Sequence, residues 1–296
     1  VLAIGAYLND GGGSDRGHVR VYAWNGSAWA QRGSDIDGAA DGDNSGISVS
    51  LNGDGSVVAI GAWKNDDGPG SDAGHTRIFS WNGSAWSQKG SDIDGEASGD
   101  LSGYNVSIND QGTIVAIGAY ANDGTGADAG HTRVYYWTGS AWSQRGSDID
   151  GEAAGDRNGG NVSLDQHGAV VAYRNDGTAS SAGHVRVHRW NGTTWAQLGA
   201  DIDGEAGGDR SGVGVSLNRG GNIVAIGAEG NNAAGTDRGH VRVYEYHSVD
   251  RVQVGDLVYI DHKEGGGGSV LSIYTYQVKT IVDSKTLTLT YISDTT

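Results

Sequence analysis

Residues 57–90 read VVAIGAWKNDDGPGSDAGHTRIFSWNGSAWSQKG, and this stretch decides the fold because its parts recur along the chain. VVAIGA at Val57–Ala62 has copies at Val1–Ala6 (VLAIGA), Ile114–Ala119 and Ile223–Ala228 (both IVAIGA), and a shortened one, VVAY, at Val170–Tyr173. The phrase GH(V/T)R(V/I) begins at Gly17, Gly74, Gly130, Gly183 and Gly239. Its histidines, His18, His75, His131, His184 and His240, are spaced 57, 56, 53 and 56 residues apart. A third phrase, W(N/T)G(S/T)xW, starts at Trp24, Trp81, Trp137 and Trp190, and a fourth, DIDG, at Asp35, Asp92, Asp148 and Asp201. An internal period of this length marks a repeat architecture, with one supersecondary unit per period.

Each unit reads as four short strands. In the second, Ile47–Leu51 alternates apolar residues with Ser, Val57–Ala62 is apolar and small, His75–Trp81 is β-branched and aromatic, and Ala85–Gln88 carries a Trp. None has the 3.6-residue period of a helix. Asn52-Gly53-Asp54-Gly55 joins the first two strands as a hairpin, and Asn82-Gly83 joins the last two. A longer loop, Asn65–Ala73, separates the middle pair, and the longest connection, Gly90–Gly103, leads to the next unit. Repeated antiparallel meanders of this size predict a β-propeller of about five four-stranded blades; a linear β-solenoid is the alternative. The Val-Ala-Ile-Gly-Ala strand, with little bulk on either face, suits the crowded inner part of such a ring. The fourth unit departs from the pattern at Ala172-Tyr173-Arg174-Asn175, which weakens an inner strand and leaves its register open. The first and fifth units each supply three strands. Residues 247–296 lack Trp and alternate over Val252–Ile260, Ser272–Val282 and Thr286–Ile292, with a Gly265–Gly268 run read as a loop. They form either a small β-domain, an SH3-like barrel or sandwich, or a segment that closes the ring. The domains are therefore 1–246, the propeller, and 247–296.

Composition narrows the function classes. The 296 residues include 53 Gly but one Pro and no Gly-X-Y period, which excludes collagen. The absence of Cys excludes a disulfide scaffold. No apolar run approaches the ~20 residues of a membrane helix, and 9 Trp and 13 Tyr supply apolar area that a disordered chain lacks. A net charge of −16 disfavours nucleic acid and anionic lipid as partners. The sequence opens at Val1 inside an apolar strand, without an initiator Met or signal peptide, and is expected to be part of a longer product.

The phrases VAIGA, NDG, GHVRVY, WNGSAW, DIDGEAxGD and SVSLNxDG over residues 1–246 resemble a repeat of large surface proteins of marine bacteria, algae and their viruses, similar to the FG-GAP repeats of the integrin α-subunit propeller. The resemblance implies extracellular, cell-surface or virion-surface display, adhesion and ligand binding, without catalysis. The calcium loop of that family is eroded here: Asn52-Gly53-Asp54-Gly55 keeps part of it and Asn218-Arg219-Gly220-Gly221 does not, so calcium is not carried over onto that loop.

Calcium is instead the candidate cofactor for the DIDGEAxGD segments, because hard cations take six to eight oxygens, several from nearby carboxylates. The candidate ligands are Asp35, Asp37, Asp41 and Asp43 in the first unit, with Ala39 where the others have Glu; Asp92, Asp94, Glu96 and Asp100; Asp148, Asp150, Glu152 and Asp156; and Asp201, Asp203, Glu205 and Asp209. The competing account is turn chemistry, in which Asp accepts backbone N–H groups and Gly supplies positive φ. The Asn-Asp-Gly loops at Asn65, Asn122 and Asn175-Asp176 pose the same question. Trp29, Trp86, Trp142 and Trp195 flank hairpin turns, either stacking on sugar rings or packing between blades. His and Arg of each GHxR phrase share a strand face, as anion sites or as buried contacts between blades. Residues that break the repeat, Trp63, Lys64, His167, Arg174, His188 and Arg189, form no recognisable catalytic set. Sequons occur at Asn25, Asn82, Asn105, Asn161 and Asn191, with Asn105 and Asn161 opening inner strands. The expected function is a non-enzymatic structural or adhesion protein whose partner is a protein or glycan on a surface, within a larger assembly. A multivalent carbohydrate-binding lectin is the alternative, and an enzyme would require convergent, non-repeated polar residues in an axial pocket.

Overall fold

A computed structural model describes residues 1–175, 181–232, 238–246, 257–262, 272–283 and 286–295. The described residues are all-β, with no helix. The chain divides into two compact units, Val1–Tyr244 and Glu245–Thr296.

The first unit is a β-propeller array of five blades. Blade one holds β1 (Leu2–Ala6), β2 (His18–Trp24), β3 (Trp29–Gln31) and β4 (Ile36–Asp37). Blade two holds β5 (Ser48–Leu51), β6 (Val57–Ala62), β7 (His75–Trp81), β8 (Trp86–Gln88) and β9 (Ile93–Asp94). Blade three repeats it as β10 (Asn105–Ile108), β11 (Ile114–Ala119), β12 (His131–Trp137), β13 (Trp142–Gln144) and β14 (Ile149–Asp150). Blade four is β15 (Val162–Leu164), β16 (Val170–Asn175), β17 (His184–Trp190), β18 (Trp195–Gln197) and β19 (Ile202–Asp203). Blade five has β20 (Ser211–Leu217), β21 (Ile223–Ala228) and β22 (His240–Glu245).

The meander holds, but the DIDG phrase is not the loop expected. Its Ile-Asp pair is the second half of a broken fourth strand: β8 pairs with the C-terminal end of β7, and β9 pairs with the N-terminal end of the same edge. Burial explains this, because Ile36, Ile93 and Ile149 are 5–6% exposed and anchor the half-strand. The Trp81↔Trp86 pair leaves a four-residue turn, in which Asn82 Oδ1 accepts the backbone N–H groups of Ser84 and Ala85 at 2.9 Å each.

Successive blades are joined by their innermost strands. Side-chain oxygens of Ser48 and Ser50 accept the N–H groups of Val106 and Ile108, Asn105 and Ser107 those of Val162 and Leu164, and Asn161 and Ser163 those of Val215 and Leu217, all at 3.0–3.2 Å. The otherwise unpaired edge of each inner strand is satisfied in this way. The adjoining turns form a second ladder, Gly53 N–H to Asp110, Asp110 N–H to Gln166 and Gln166 N–H to Arg219 at 3.0–3.1 Å. The Arg219 side chain reaches back two blades to pair with Asp110, so the array curves about a common centre. The sheets of blades two to four are covered on both faces; one core, for example, joins Ala116 and Val134 of blade three to Val162, Val171 and Tyr173 of blade four.

The small VAIGA strand is required by close approach. A Cβ on Gly61 would lie 1.9 Å from the Gly103 carbonyl oxygen. Blade four has Arg174 at this position, and the facing β20 carries a bulge between Ser211 and Gly214. The two end faces are open among the described residues: Leu2 and Ile4 are 43% and 48% exposed, Val241 and Val243 68% and 64%.

In the second unit, β23 (Leu257–His262), β24 (Ser272–Asp283) and β25 (Thr286–Thr295) form one antiparallel sheet in that order. The Gly265–Gly268 run and Asp176 lie outside the described residues.

Candidate functional site

The register places one polar cluster on each blade. His75 opens β7 opposite Asp94, and His131 opens β12 opposite Asp150. The four expected carboxylates of each DIDGEAxGD segment do not converge. Asp35, Asp92, Asp148 and Asp201 lie beside the histidine of their own blade, at 3.5–3.9 Å. The second set, Asp37, Asp94, Asp150 and Asp203, sits on the half-strand. Burial pushes the Asp94 and Asp150 carboxyls above their usual range. The glutamates cross to the next blade: Glu96 to Arg133 (3.3 Å), Glu152 to Arg186, Glu205 to Arg242 (3.7 Å). Asp100, Asp156 and Asp209 fold back as loop caps. Asp100 Oδ2 accepts the N–H groups of Glu96 and Ala97 and the Asn122 amide at 2.9–3.1 Å, and Asp156 and Asp209 each take the two matching N–H groups.

The tryptophans join blades. The indole N–H groups of Trp86, Trp142 and Trp195 donate to the carbonyls of Arg32, Lys89 and Arg145 in the preceding blade, each at 2.7 Å. The same three cations lie over the rings. Trp29, in the first described blade, is 51% exposed.

Against this uniform background the fourth blade is different. Register equates Tyr173 with Ile60 and Ile117, and His188 with Phe79 and Tyr135. Both replacements are polar, and they meet: the Tyr173 hydroxyl lies 3.1 Å from His188 Nδ1. Arg186, two residues from His188 on the same strand face, binds Asp201 Oδ1 at 2.9 Å and pairs with Glu152 of blade three. Burial, reinforced by the charge of Arg186 and opposed by Asp201, pulls the His188 imidazole down to about 4, so it is neutral at pH 7. Burial also holds the Tyr173 phenol well above its usual range. Farther out on the same face, Trp190 walls a cavity of about 470 Å³ between blades three and four, with Tyr136, Trp137, Gln144 and Arg145. Cavities of this size hold small molecules. The sequence marked His188 as a repeat-breaking residue. It missed Tyr173, whose signal was the shortened VVAY phrase.

No family model matches the chain, and no curated protein matches it. Among solved structures, a candidate 6-phosphogluconolactonase of Bacteroides uniformis is 11% identical with a TM-score of 0.51, covering 99% of this chain and 82% of that one. The periplasmic gluconolactonase PpgL of Pseudomonas aeruginosa is 11% identical with a TM-score of 0.50, again over 99% and 82%. The β-propeller domain of the Trilobed protease of Pyrococcus furiosus is 9% identical with a TM-score of 0.45, over 88% and 75%. The propeller architecture stands; the FG-GAP type in particular gains no support. The expectation of a non-enzymatic structural, adhesion or lectin-like protein is corrected, because two neighbours in this architecture carry the names of enzymes. The physical reason is that a scaffold fixed by repeated residues leaves the non-repeated ones free to do chemistry, so recurrence does not argue against catalysis.

Proposed function

We propose that the chain is a hydrolase that opens an ester bond in a small lactone, the substrate class in the names of the two lactonase neighbours, at the groove between blades three and four. The observation that carries the reading is the contact of Tyr173 with His188, two polar residues standing where other blades have apolar and aromatic ones. In the productive tautomer, Nδ1–H of His188 donates to the Tyr173 oxygen and Nε2 keeps its lone pair. A water gives a proton to Nε2 as its oxygen attacks the lactone carbonyl. Negative charge develops on the carbonyl oxygen on the strand face that carries the Arg186 guanidinium. The ring C–O bond then breaks, and the leaving oxygen takes the proton back from the imidazolium, giving the open hydroxy acid. Trp190 and Arg145 in the adjoining cavity supply an aromatic face and a cation to the rest of the substrate.

A location outside the cytoplasm is inferred, in keeping with the name of the periplasmic gluconolactonase neighbour. The sequons at Asn25, Asn82 and Asn191 lie on exposed turns, whereas Asn105 and Asn161 are engaged between inner strands.

The test reverts the site to the pattern of its sister blades. In a pH-stat assay of glucono-δ-lactone opening, His188→Phe and Tyr173→Ile lower the catalysed rate by about 10²-fold or more, the usual worth of a positioned base, with unchanged circular dichroism. The rate falls as pH drops through about 4, where His188 takes a proton. Wild-type protein that adds nothing to the spontaneous rate, or His188→Phe with full activity, overturns the reading.

A further inference from the structure

The second blade carries a different exception. His75 follows Gly74 at the start of β7, and its side chain is fully buried. The ladder sets Asp94 directly across from it, and Asp92 is two residues earlier on the same edge. Neither ring nitrogen of His75 has a hydrogen-bond partner. Its Nδ1 is 3.5 Å from Asp92 Oδ2, and one ligand atom from each of His75, Asp92 and Asp94 lies within 4.8 Å of the other two. A separation of 3.5 Å is long for a hydrogen bond. It suits two donors on one ion: bonds of ~2.0–2.1 Å at a tetrahedral angle put their ends roughly 3.4 Å apart.

The equivalent clusters are closed by guanidinium groups. Arg20 binds Asp35 at 2.9 Å, Arg133 binds Glu96 at 3.3 Å, and Arg186 binds Asp201 at 2.9 Å and pairs with Glu152. In the second blade Arg77 donates to the Asp37 carbonyl at 2.6 Å, as Arg133 does to that of Asp94 at 2.7 Å, but among the described residues no guanidinium pairs with the Asp92 or Asp94 carboxylate. Ala39 stands where Glu would cross from the preceding blade. Asp43 and Asp67 add negative charge nearby, and Arg77 a positive one.

We propose that His75, Asp92 and Asp94 form a site for one divalent transition-metal ion of the zinc class, bound through an imidazole nitrogen and two carboxylate oxygens, with water in the remaining positions. One nitrogen donor and only three protein ligands select against calcium, which takes six to eight oxygens. Asp100, the further oxygen ligand expected from this segment, is already occupied as a loop cap. The site does not depend on the hydrolase reading, since it shares no residue with the fourth-blade groove.

The test titrates the chelator-treated full chain with Co²⁺. The expected result is the ligand-field absorption of Co²⁺ bound to a nitrogen donor, displaced by Zn²⁺ but not by an equal concentration of Ca²⁺. Asp92→Asn and Asp94→Asn, at partly exposed positions and of unchanged shape, each weaken binding at least 10-fold and remove one equivalent of bound ion; His75→Gln abolishes the nitrogen signature. No Co²⁺ absorption in the wild type, the same absorption and affinity in both Asp variants, or displacement by Ca²⁺ overturns the proposal.

Discussion

Replacing Ser107 by Ala isolates one of the bonds that hold blade four against blade three. Ser107 Oγ accepts the N–H of Leu164 at 3.0 Å, and Leu164 is 8% exposed, so water cannot take the vacated place easily. The methyl left behind nearly fills the space. The cost is therefore that of one buried backbone donor left unpaired, about 1–3 kcal/mol. In an array whose stability is a sum of blade and interface terms, the loss falls on the interface. Urea unfolding should show a lower midpoint with an unchanged slope. Hydrogen exchange localises the effect: the Leu164 amide should exchange roughly 5- to 140-fold faster, at about tenfold for each 1.4 kcal/mol. The amide of Ile108, which uses Ser50 at the previous interface, serves as the internal control. Unchanged midpoint and unchanged protection at Leu164 would show that the serine hydroxyls are incidental to how the inner strands are joined.

Trp142→Phe loses the 2.7 Å bond to the Lys89 carbonyl and about 1 kcal/mol, and Trp142→Ala about 3 kcal/mol, read from thermal melts. Trp29→Ala, at a residue 51% exposed, should cost well under half as much; equal losses refute the inter-blade role. The His131 imidazole is pulled down from 6.5 to about 4, chiefly by burial and then by Arg133. On acidification the unfolded chain takes this proton first. The stabilisation is therefore whole above pH 6.5 and is lost as pH falls toward 4, by ~1.4 kcal/mol per pH unit at most. Urea midpoints between pH 7 and 4.5 check this, and a slope unaltered in His131→Gln contradicts it. Ala39→Glu should restore the crossing carboxylate and pair with Arg77 as Glu96 does with Arg133, raising stability by about 0.5–1 kcal/mol in the same assay; no gain means the crossing glutamates contribute nothing.

The repeat and its strands were legible because their signals are local: period-2 apolar patterns, tight Gly-rich turns, and strands such as β6 whose bounds match the VVAIGA phrase. The half-strand at Ile93–Asp94 was not legible. Two residues have no periodicity, and Asp-Ile-Asp-Gly reads as turn chemistry until Ile93 is seen buried against β7. The division of the carboxylate set was not legible for a related reason: sequence proximity suggests one chelating loop, while the fold leaves Asp92 and Asp94 beside His75, sends Glu96 to the next blade and turns Asp100 inward. The Tyr173–His188 contact joins residues fifteen apart through a strand register that the loss of Ile-Gly-Ala had left open.

Both candidate sites occupy defects in the same device. A regular inter-blade groove is closed three times over: a crossing glutamate meets the arginine, an isoleucine fills the floor and an aromatic covers the arginine, as Glu96, Ile117 and Tyr135 do around Arg133. Removing one closure creates chemistry, and which closure is removed decides its kind. Ala39 deletes the crossing carboxylate, and among the described residues no guanidinium pairs with the second-blade aspartates, which with His75 have the donor set of a cation site. Tyr173 and His188 replace floor and cover, so the fourth blade keeps its guanidinium but gains a neutral base beside it. A single defective groove could hold one of these arrangements and not both, because the arginine pairing that Arg186 keeps would occupy the carboxylates a cation needs. Separate blades let one chain carry both.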